Sequence, residues 1–141
     1  MLAVVLIGMQ FIPVSRNSDD KTTSADFIQF YNPPEKVSSK LTVSCYNCHS
    51  NSTDYPWYAN FQPVGFYIEN HINRGKENLN LSEFGNYSDR RQISKLTSMI
   101  DQINGNNMPL PAYTLIHRSA KLSGEDKKEL ISFLNSALEK H

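Results

Sequence analysis

The chain is 141 residues long, which suits one domain with a hydrophobic core and is short for two. Hydrophobic residues make up 39% of it, and the 14 Lys and Arg balance the 14 Asp and Glu, so no net charge favours nucleic acid or an anionic membrane surface. Its two cysteines are too few for a disulfide framework and too close in sequence to cross-link much of the chain, so another chemistry must account for them.

The first predicted element is the apolar stretch from Leu2 to Ile12, "LAVVLIGMQFI", which Pro13 follows. As a helix it would span about 17 Å, which is short of the roughly 30 Å hydrocarbon core of a bilayer. No basic region precedes it and no clear small-x-small cleavage motif follows it. We predict that residues 1–14 are an export signal or membrane anchor, and that the protein is periplasmic or anchored facing outward.

The next segment, residues 15–34, is polar and ends at Pro33 and Pro34. Proline interrupts regular structure, and polar residues bury little surface. We therefore predict a tether with at most a short docking piece. The folded domain is expected to cover residues 35–141.

Helical periodicity predicts two helices in the first half of that domain. The first places both thiols on its apolar face through residues spaced by four, four and three: Val37, Leu41, Cys45 and Cys48. The second begins at Pro63, carries His71, and is predicted to end at Gly75 in the left-handed conformation.

Two further helices are predicted in the second half. Ser88 is expected to cap the third, which ends at Gly105, holds Met99 in the core, and has the apolar stripe Ile93, Leu96, Ile100 and Ile103. Ser123 is expected to cap the fourth, whose leucines recur every four residues at Leu130, Leu134 and Leu138. No alternating run of strand length is present, so the predicted fold class is mostly α.

Both cysteines lie in the pentapeptide Cys45-Tyr46-Asn47-Cys48-His49, which has the spacing C-x-x-C-H. This is the attachment sequence of c-type haem, in which two thiols add across the vinyl groups and the histidine is the proximal iron ligand. Residues three apart on a helix face the same way, so both thiols can reach one macrocycle. We predict one covalent haem c held by Cys45, Cys48 and His49.

Two other uses of a close cysteine pair fit the sequence poorly. A thioredoxin-like redox pair would follow a strand in a βαβ unit, and no such pattern precedes Cys45. A structural zinc site would need four ligands, and no second Cys or His pair stands at finger-like spacing.

Three side chains are candidates for the sixth iron position: Met108, His71 and His117. Met108 stands in a loop stiffened by Pro109 and Pro111, and a rigid loop suits a weak thioether ligand that raises the reduction potential. Methionine is more often a core residue, so that alternative stays open. His71 would give bis-histidine ligation and ranks second, while His117 is expected to bond the backbone or a propionate.

The stretch "CYNCHSNSTDYPWYANFQPVGFYIENHINRGKENLNLSEF" and the later "MPLPAYTLIHRSAKLS" resemble one family in combination. This is the haem-binding domain family, single-haem c-type cytochrome-like proteins with a C-x-x-C-H-S-N motif, found mainly in Bacteroidota. The resemblance covers residues 24–140 and includes the T-x-Y-P-W-Y stretch from Thr53 to Tyr58. It implies a compact, helical, cytochrome c-like domain around one haem.

An aromatic cluster follows the attachment sequence. Tyr55, Trp57 and Tyr58 are candidates to wall the haem, where aromatic surface excludes water and phenol or indole groups bind a propionate. Ordinary core packing is the alternative for each ring. Arg74 and Arg118 are candidates to pair with propionates, although a solvated arginine is the commoner case.

Two functions follow from these expectations. The first is a periplasmic electron carrier with iron ligated by His49 and Met108, whose partners are redox proteins at the membrane or in the periplasm. The alternative is a haem-based sensor or small-gas-binding module with an open or labile sixth site. No distal acid–base pair for peroxidase chemistry is evident, so we do not expect an enzyme.

Overall fold

The computed structural model describes residues 1–19 and 21–141, and helices dominate it. In chain order the α-helices are α1 Leu2–Met9, α2 Phe27–Tyr31, α3 Glu35–Leu41, α4 Asn47–His49, α5 Val64–Asn78, α6 Asp89–Asn104, α7 Pro111–Ile116 and α8 Gly124–Leu138. A π-helical turn, Thr42–Tyr46, joins α3 to α4, and 3-10 turns occupy Trp57–Asn60, Leu81–Asn86 and Arg118–Ala120. No strand occurs in the described residues, so the mostly α class is confirmed.

The core lies where α6 packs along α8, with α2 and α3 closing it from one side. Its largest fully buried side chains come from elements distant in sequence: Phe27, Leu41, Leu81, Phe84, Leu96, Leu130 and Leu134. Phe27 meets Phe84 edge to face, with ring centroids 4.9 Å apart. Such apolar burial is the main stabilising contribution to the fold.

Helix α8 follows its prediction closely. The hydroxyl of Ser123 accepts a hydrogen bond from the Asp126 amide at 3.1 Å, and the Asp126 carboxylate accepts one from the Ser123 amide at 2.9 Å. This reciprocal capping box satisfies amides that have no partner within the helix. Leu130 and Leu134 are buried as predicted.

Helix α6 begins after Ser88 and ends before Gly105 as predicted, but the Ser88 side chain makes no capping hydrogen bond with the described residues. The buried face of the helix is also shifted. Gln92 is buried, whereas the predicted core residue Ile93 is 39% exposed. The Gln92 side chain donates to the Tyr87 carbonyl at 2.9 Å and accepts from the Tyr31 hydroxyl at 3.4 Å. A polar residue can take a core position when its groups are bonded in this way, which an apolar pattern does not reveal.

Helix α5 follows Pro63 as predicted but continues past Gly75 to Asn78. The prediction that Gly75 ends the helix in the left-handed conformation is wrong, because no described glycine has a positive φ. Gly75 instead lies against the backbone of α4, and a Cβ added to it would lie 2.5 Å from the Cys48 carbonyl oxygen. The glycine thus permits a close helix–helix approach.

The apolar N-terminal stretch forms α1, eight residues long. Several of its side chains, and Phe11 after it, are exposed to solvent; Val4 and Ile7 are examples. No helix in the described part of the chain combines the length and apolar character needed to cross a membrane.

The segment after α1 lies along the stretch 50–62. The Gln10 side chain donates to the Gln62 carbonyl and accepts from the Gln62 amide, both at 3.0 Å. Farther on, Ser18 and Ser52 form an isolated antiparallel bridge. The chain entering the domain is therefore fixed to its surface by backbone and side-chain hydrogen bonds.

Residues 15–34, for which a tether with a short docking piece is predicted, contain such a piece in α2. Asp26 caps α2 by accepting from the Ile28 amide at 3.0 Å, and Phe27 and Tyr31 are buried in the core. Asp20, also in this segment, lies outside the described residues. The packed part of the domain thus begins before residue 35.

Candidate functional site

The C-x-x-C-H pentapeptide lies at the end of the helix that α3 begins. The π-helical turn Thr42–Tyr46 carries Cys45, and α4 carries Cys48 and His49. A π turn adds a residue to the helical repeat and occurs often at functional sites. Within this turn the buried Ser44 hydroxyl donates to the Ala120 carbonyl at 2.9 Å, which fixes the turn to the second half of the chain.

Both cysteines and His49 line one cavity of about 430 Å³ between α4, α5 and α6. His71 and Met108 line the same cavity, so the candidate haem ligands meet in one place. Much of the wall is apolar and includes Leu79, Met99, Ile103 and Leu110. A concave, mostly apolar cavity of this size is typical of cofactor and ligand sites.

The orientation of the His49 ring is set by the end of α5. Its Nδ1 lies 3.0 Å from the Gly75 carbonyl oxygen and 3.1 Å from the Leu79 carbonyl oxygen. Carbonyl oxygens only accept, so Nδ1 must carry the proton. Burial also lowers the pKa of the imidazole, although the two carbonyl contacts oppose this effect. The ring is therefore neutral near pH 7, with the Nε2 lone pair free to bind a metal.

The two thiols are free and half-buried. Burial raises the pKa of Cys45 to about 12, with a smaller contribution from Cys48, and burial also raises the pKa of Cys48. Redox-active thiols in thioredoxin-like pairs require a lowered pKa. The raised pKa of both cysteines disfavours the thiolate that disulfide exchange requires.

Met108 reaches the cavity from the loop after α6. The amides of Asn107 and Met108 both donate to the Gln102 carbonyl, at 3.0 and 3.2 Å, and Asn106 takes the left-handed conformation, φ 58°. The loop is thus fastened to the C-terminal turn of α6. It places the thioether of Met108 in the cavity wall, half-buried.

The two other candidate histidines differ in position. His71 lines the cavity, and its Nδ1 donates to the Tyr67 carbonyl at 3.1 Å, which leaves its Nε2 available. His117 lies outside the cavity lining: its Nε2 is hydrogen-bonded to the Tyr58 hydroxyl, and its ring stacks on Tyr113, with centroids 4.4 Å apart.

The predicted aromatic wall is not brought into the cavity. Tyr55 donates to Glu69 at 2.6 Å, Tyr58 bonds His117, and Trp57 is 75% exposed. Their proposed role in haem binding stays a prediction. The ring that does line the cavity is Tyr113, whose hydroxyl accepts from the Asn47 side chain at 2.9 Å.

Two cations also line the cavity, Arg74 on α5 and Lys95 on α6. Sequence reasoning pointed to Arg74 but missed Lys95, which stands one residue before the buried Leu96 on an otherwise ordinary amphipathic helix. Two cations beside an apolar wall suit a flat, apolar cofactor that carries two carboxylates. Together with the thiols and the free Nε2 of His49, this donor set fits haem.

Comparison with known families gives a match over most of the chain. A family model described as a haem-binding domain matches residues 4–136. No curated protein and no solved structure is significantly similar to the chain.

Proposed function

Because this chain belongs to the haem-binding domain family, we propose that it is a single-haem c-type cytochrome that carries electrons in the periplasm. Cys45 and Cys48 hold the haem covalently, His49 is the proximal iron ligand and Met108 is the sixth. The observation that carries the proposal is that all four side chains line one cavity, where the described residues offer the His49 Nε2 no hydrogen-bond partner.

The covalent attachment uses the two thiols as they stand. Each S–H would add across one vinyl C=C bond of the haem, with the sulfur bonded to one carbon and the hydrogen to the other. No electrons are gained or lost, and no oxidant is needed. The positions of Cys45 and Cys48 on one cavity wall let both act on a single macrocycle.

The bound haem iron supplies one-electron exchange between the ferrous and ferric states. The chain's own contribution is to hold the ligands still. The carbonyls of Gly75 and Leu79 orient the His49 ring, and the loop fastened to α6 positions Met108. Leu79, Met99 and Ile103 give the cavity a largely apolar wall. Fixed ligands and an apolar wall reduce the rearrangement that accompanies a change of charge.

The proposed location is the periplasm or the outer face of a membrane. Its support is the apolar stretch 2–12 and the fact that c-type haem is attached outside the cytoplasm in bacteria. The proposed partners are redox proteins there. We propose no nucleic-acid binding and no enzymatic reaction, since the cavity offers electron exchange and ligand binding rather than an acid–base pair.

A haem-based sensor or small-gas-binding module is the second candidate. Met108 favours it in one respect, because this residue lines the cavity on one side and a second, open concavity on the other. If a gas displaced the Met108 thioether from the iron, the side chain could move into this second concavity. The two functions then differ in whether Met108 stays on the iron.

The test is the visible and near-infrared spectrum of the protein matured with haem in a bacterial periplasm. The oxidised form of a carrier shows a weak absorption band at about 695 nm from methionine sulfur, and the spectrum of its reduced form does not respond to carbon monoxide. A high-spin spectrum that shifts with carbon monoxide would favour the sensor. Absence of a covalent haem would contradict both.

A further inference from the structure

A second concavity lies on the other side of the Met108 loop. It has a volume of about 590 Å³ and is walled by the loop, α7 and the start of α8. Met108 and Pro109 line both this concavity and the cavity with the cysteines. One loop therefore separates the candidate haem site from an open groove on the surface, which we term the loop groove.

The charge of the loop groove is one-sided. Three cations line it, Arg118, Lys121 and Lys127, and none of the described residues that line it is acidic. The Lys127 ammonium is held at the rim by a hydrogen bond to the Asn106 side chain. A concave surface with charges of one sign concentrates the field and attracts partners of opposite sign.

Large apolar side chains are exposed at the same surface. Leu115 on α7 lines the loop groove and is 76% exposed, and its neighbour in sequence, Ile116, is 64% exposed. Large apolar side chains left in solvent beside charges of one sign are the arrangement of a protein-docking surface rather than of a solvated helix face.

We propose that the loop groove is the docking surface for an acidic electron-transfer protein. The proposal rests on the proposed function, and it names the chemistry of the partner. Carboxylates on the partner would face Arg118, Lys121 and Lys127, and an apolar contact would cover Leu115 and Ile116. One electron would then pass between the ferrous iron and the partner's oxidised centre across the Met108–Pro109 wall, oxidising the first and reducing the second.

The test is the rate at which small charged oxidants take electrons from the reduced holoprotein at low ionic strength. The probes are ferricyanide, a trianion, and tris(phenanthroline)cobalt(III), a trication. The groove variant is Arg118→Glu/Lys121→Glu. The control is Arg90→Glu/Lys21→Glu, which makes the same change in net charge at two exposed residues outside the loop groove.

In the groove variant we expect ferricyanide to react at least about fivefold more slowly and the cobalt complex to react faster, because local charge steers association. The control pair should change both rates by less than about twofold, and salt should reduce all of these differences. Equal effects of the two pairs would overturn the proposal, because net charge alone would then explain them.

A second measurement extends the test from small ions to an acidic chain. Polyglutamate should slow the ferricyanide reaction of the wild type and leave that of Arg118→Gln/Lys121→Gln nearly unchanged. Inhibition that is equal in the two proteins, or absent in both, would contradict docking at the loop groove. If instead the wild-type protein carries no reducible haem, the proposed function fails rather than this assignment.

Discussion

The Nδ1 atom of His49 lies 3.0 Å from the carbonyl oxygen of Gly75, and a Cβ at Gly75 would lie 2.5 Å from the carbonyl oxygen of Cys48. A single glycine on α5 thus accepts the hydrogen bond that orients the candidate iron ligand and allows the close approach that this bond requires. The attachment pentapeptide and α5 are, for this reason, one structural unit.

The first prediction is that Gly75→Ala disturbs both stability and the iron site. The added methyl group meets backbone, which cannot rotate away, so α5 must move from α4. We expect a loss of about 1–3 kcal/mol in the free energy of unfolding, as for other overpacked sites. The holoprotein should also show a changed reduction potential, because the orientation of His49 depends on the displaced carbonyl.

The matched control is Gly124→Ala at the first position of α8, where an added Cβ meets nothing within 4 Å. This change should be neutral or stabilising by up to about 1 kcal/mol, since alanine favours a helix over glycine. Urea unfolding of both variants measures the contrast. Equal stability of the two variants would show that the contact with Cys48 is unimportant.

The second prediction concerns the sixth ligand. Met108→Ala should abolish the near-infrared band and lower the reduction potential, because a soft thioether favours the ferrous state relative to the groups that would replace it. His71→Ala should leave both properties nearly unchanged. Spectra and potentiometric titration of the two variants provide the comparison. Loss of the low-spin spectrum in His71→Ala, with Met108→Ala unaffected, would reverse the assignment.

The third prediction is a pH dependence at the start of α8. Hydrogen bonds from the Ser123 amide and hydroxyl, with a smaller effect of Lys40, lower the pKa of Asp126 in the folded protein. The carboxylate therefore stabilises the fold at neutral pH, and this contribution is lost as the pH falls through the folded-state pKa, below the ordinary value of about 3.9.

Asp126→Asn should accordingly cost about 1 kcal/mol at pH 7, a typical value for a lost cap, and the difference from wild type should narrow as the pH is lowered below about 4. Denaturant unfolding at several pH values measures this gap. The exposed Asp101 on α6 offers a control, for which Asp101→Asn should stay within about 0.5 kcal/mol throughout. A difference in unfolding free energy between Asp126→Asn and the wild type that does not depend on pH would contradict the prediction.

The fourth prediction tests whether α2 belongs to the folded domain. Phe27 is fully buried against Tyr31 and Phe84, with ring centroids 5.0 and 4.9 Å away. Phe27→Ala should cost about 3–5 kcal/mol, as for other buried aromatic residues. Phe30→Ala is the matched control on the same helix, where the ring is 46% exposed. Thermal unfolding should separate the two, and similar melting temperatures would mean that α2 contributes little.

Local signals in the sequence predicted a large part of this molecule. Three features can be recognised within short stretches of sequence. They are the spacing of Cys45, Cys48 and His49, the cap at Ser123, and the leucines of α8. The structure brings the three attachment residues together with Met108 in one cavity. The attachment residues, the cap and the leucines each depend on residues a few positions apart, whereas the meeting with Met108 depends on the fold.

The features that sequence reasoning missed depend on contacts between distant segments. Gly75 was assigned to a helix end because glycine is common there, whereas its role follows from the approach of α4. Gln92 is buried because Tyr31 and Tyr87 satisfy its amide. No local pattern reveals such partners.

The distribution of charge over the surface is a further feature that the sequence does not reveal. The chain as a whole is neutral, which predicts binding neither to nucleic acid nor to an anionic membrane surface. The fold nevertheless gathers Arg118, Lys121 and Lys127 around one groove, with no acidic residue in its lining. A count of charges over the whole chain cannot show this, because it does not reveal which charged side chains line the same groove.

The measurement that tests the central claim most directly is the mass of the tryptic peptide Leu41–Arg74, which contains both cysteines, from protein matured in a periplasm and then denatured in acid. We predict that this peptide retains the mass of one haem, and that Cys45→Ala/Cys48→Ala loses it. A peptide with the mass of the amino-acid chain alone, from a protein whose haem is extracted by acid, would contradict covalent attachment.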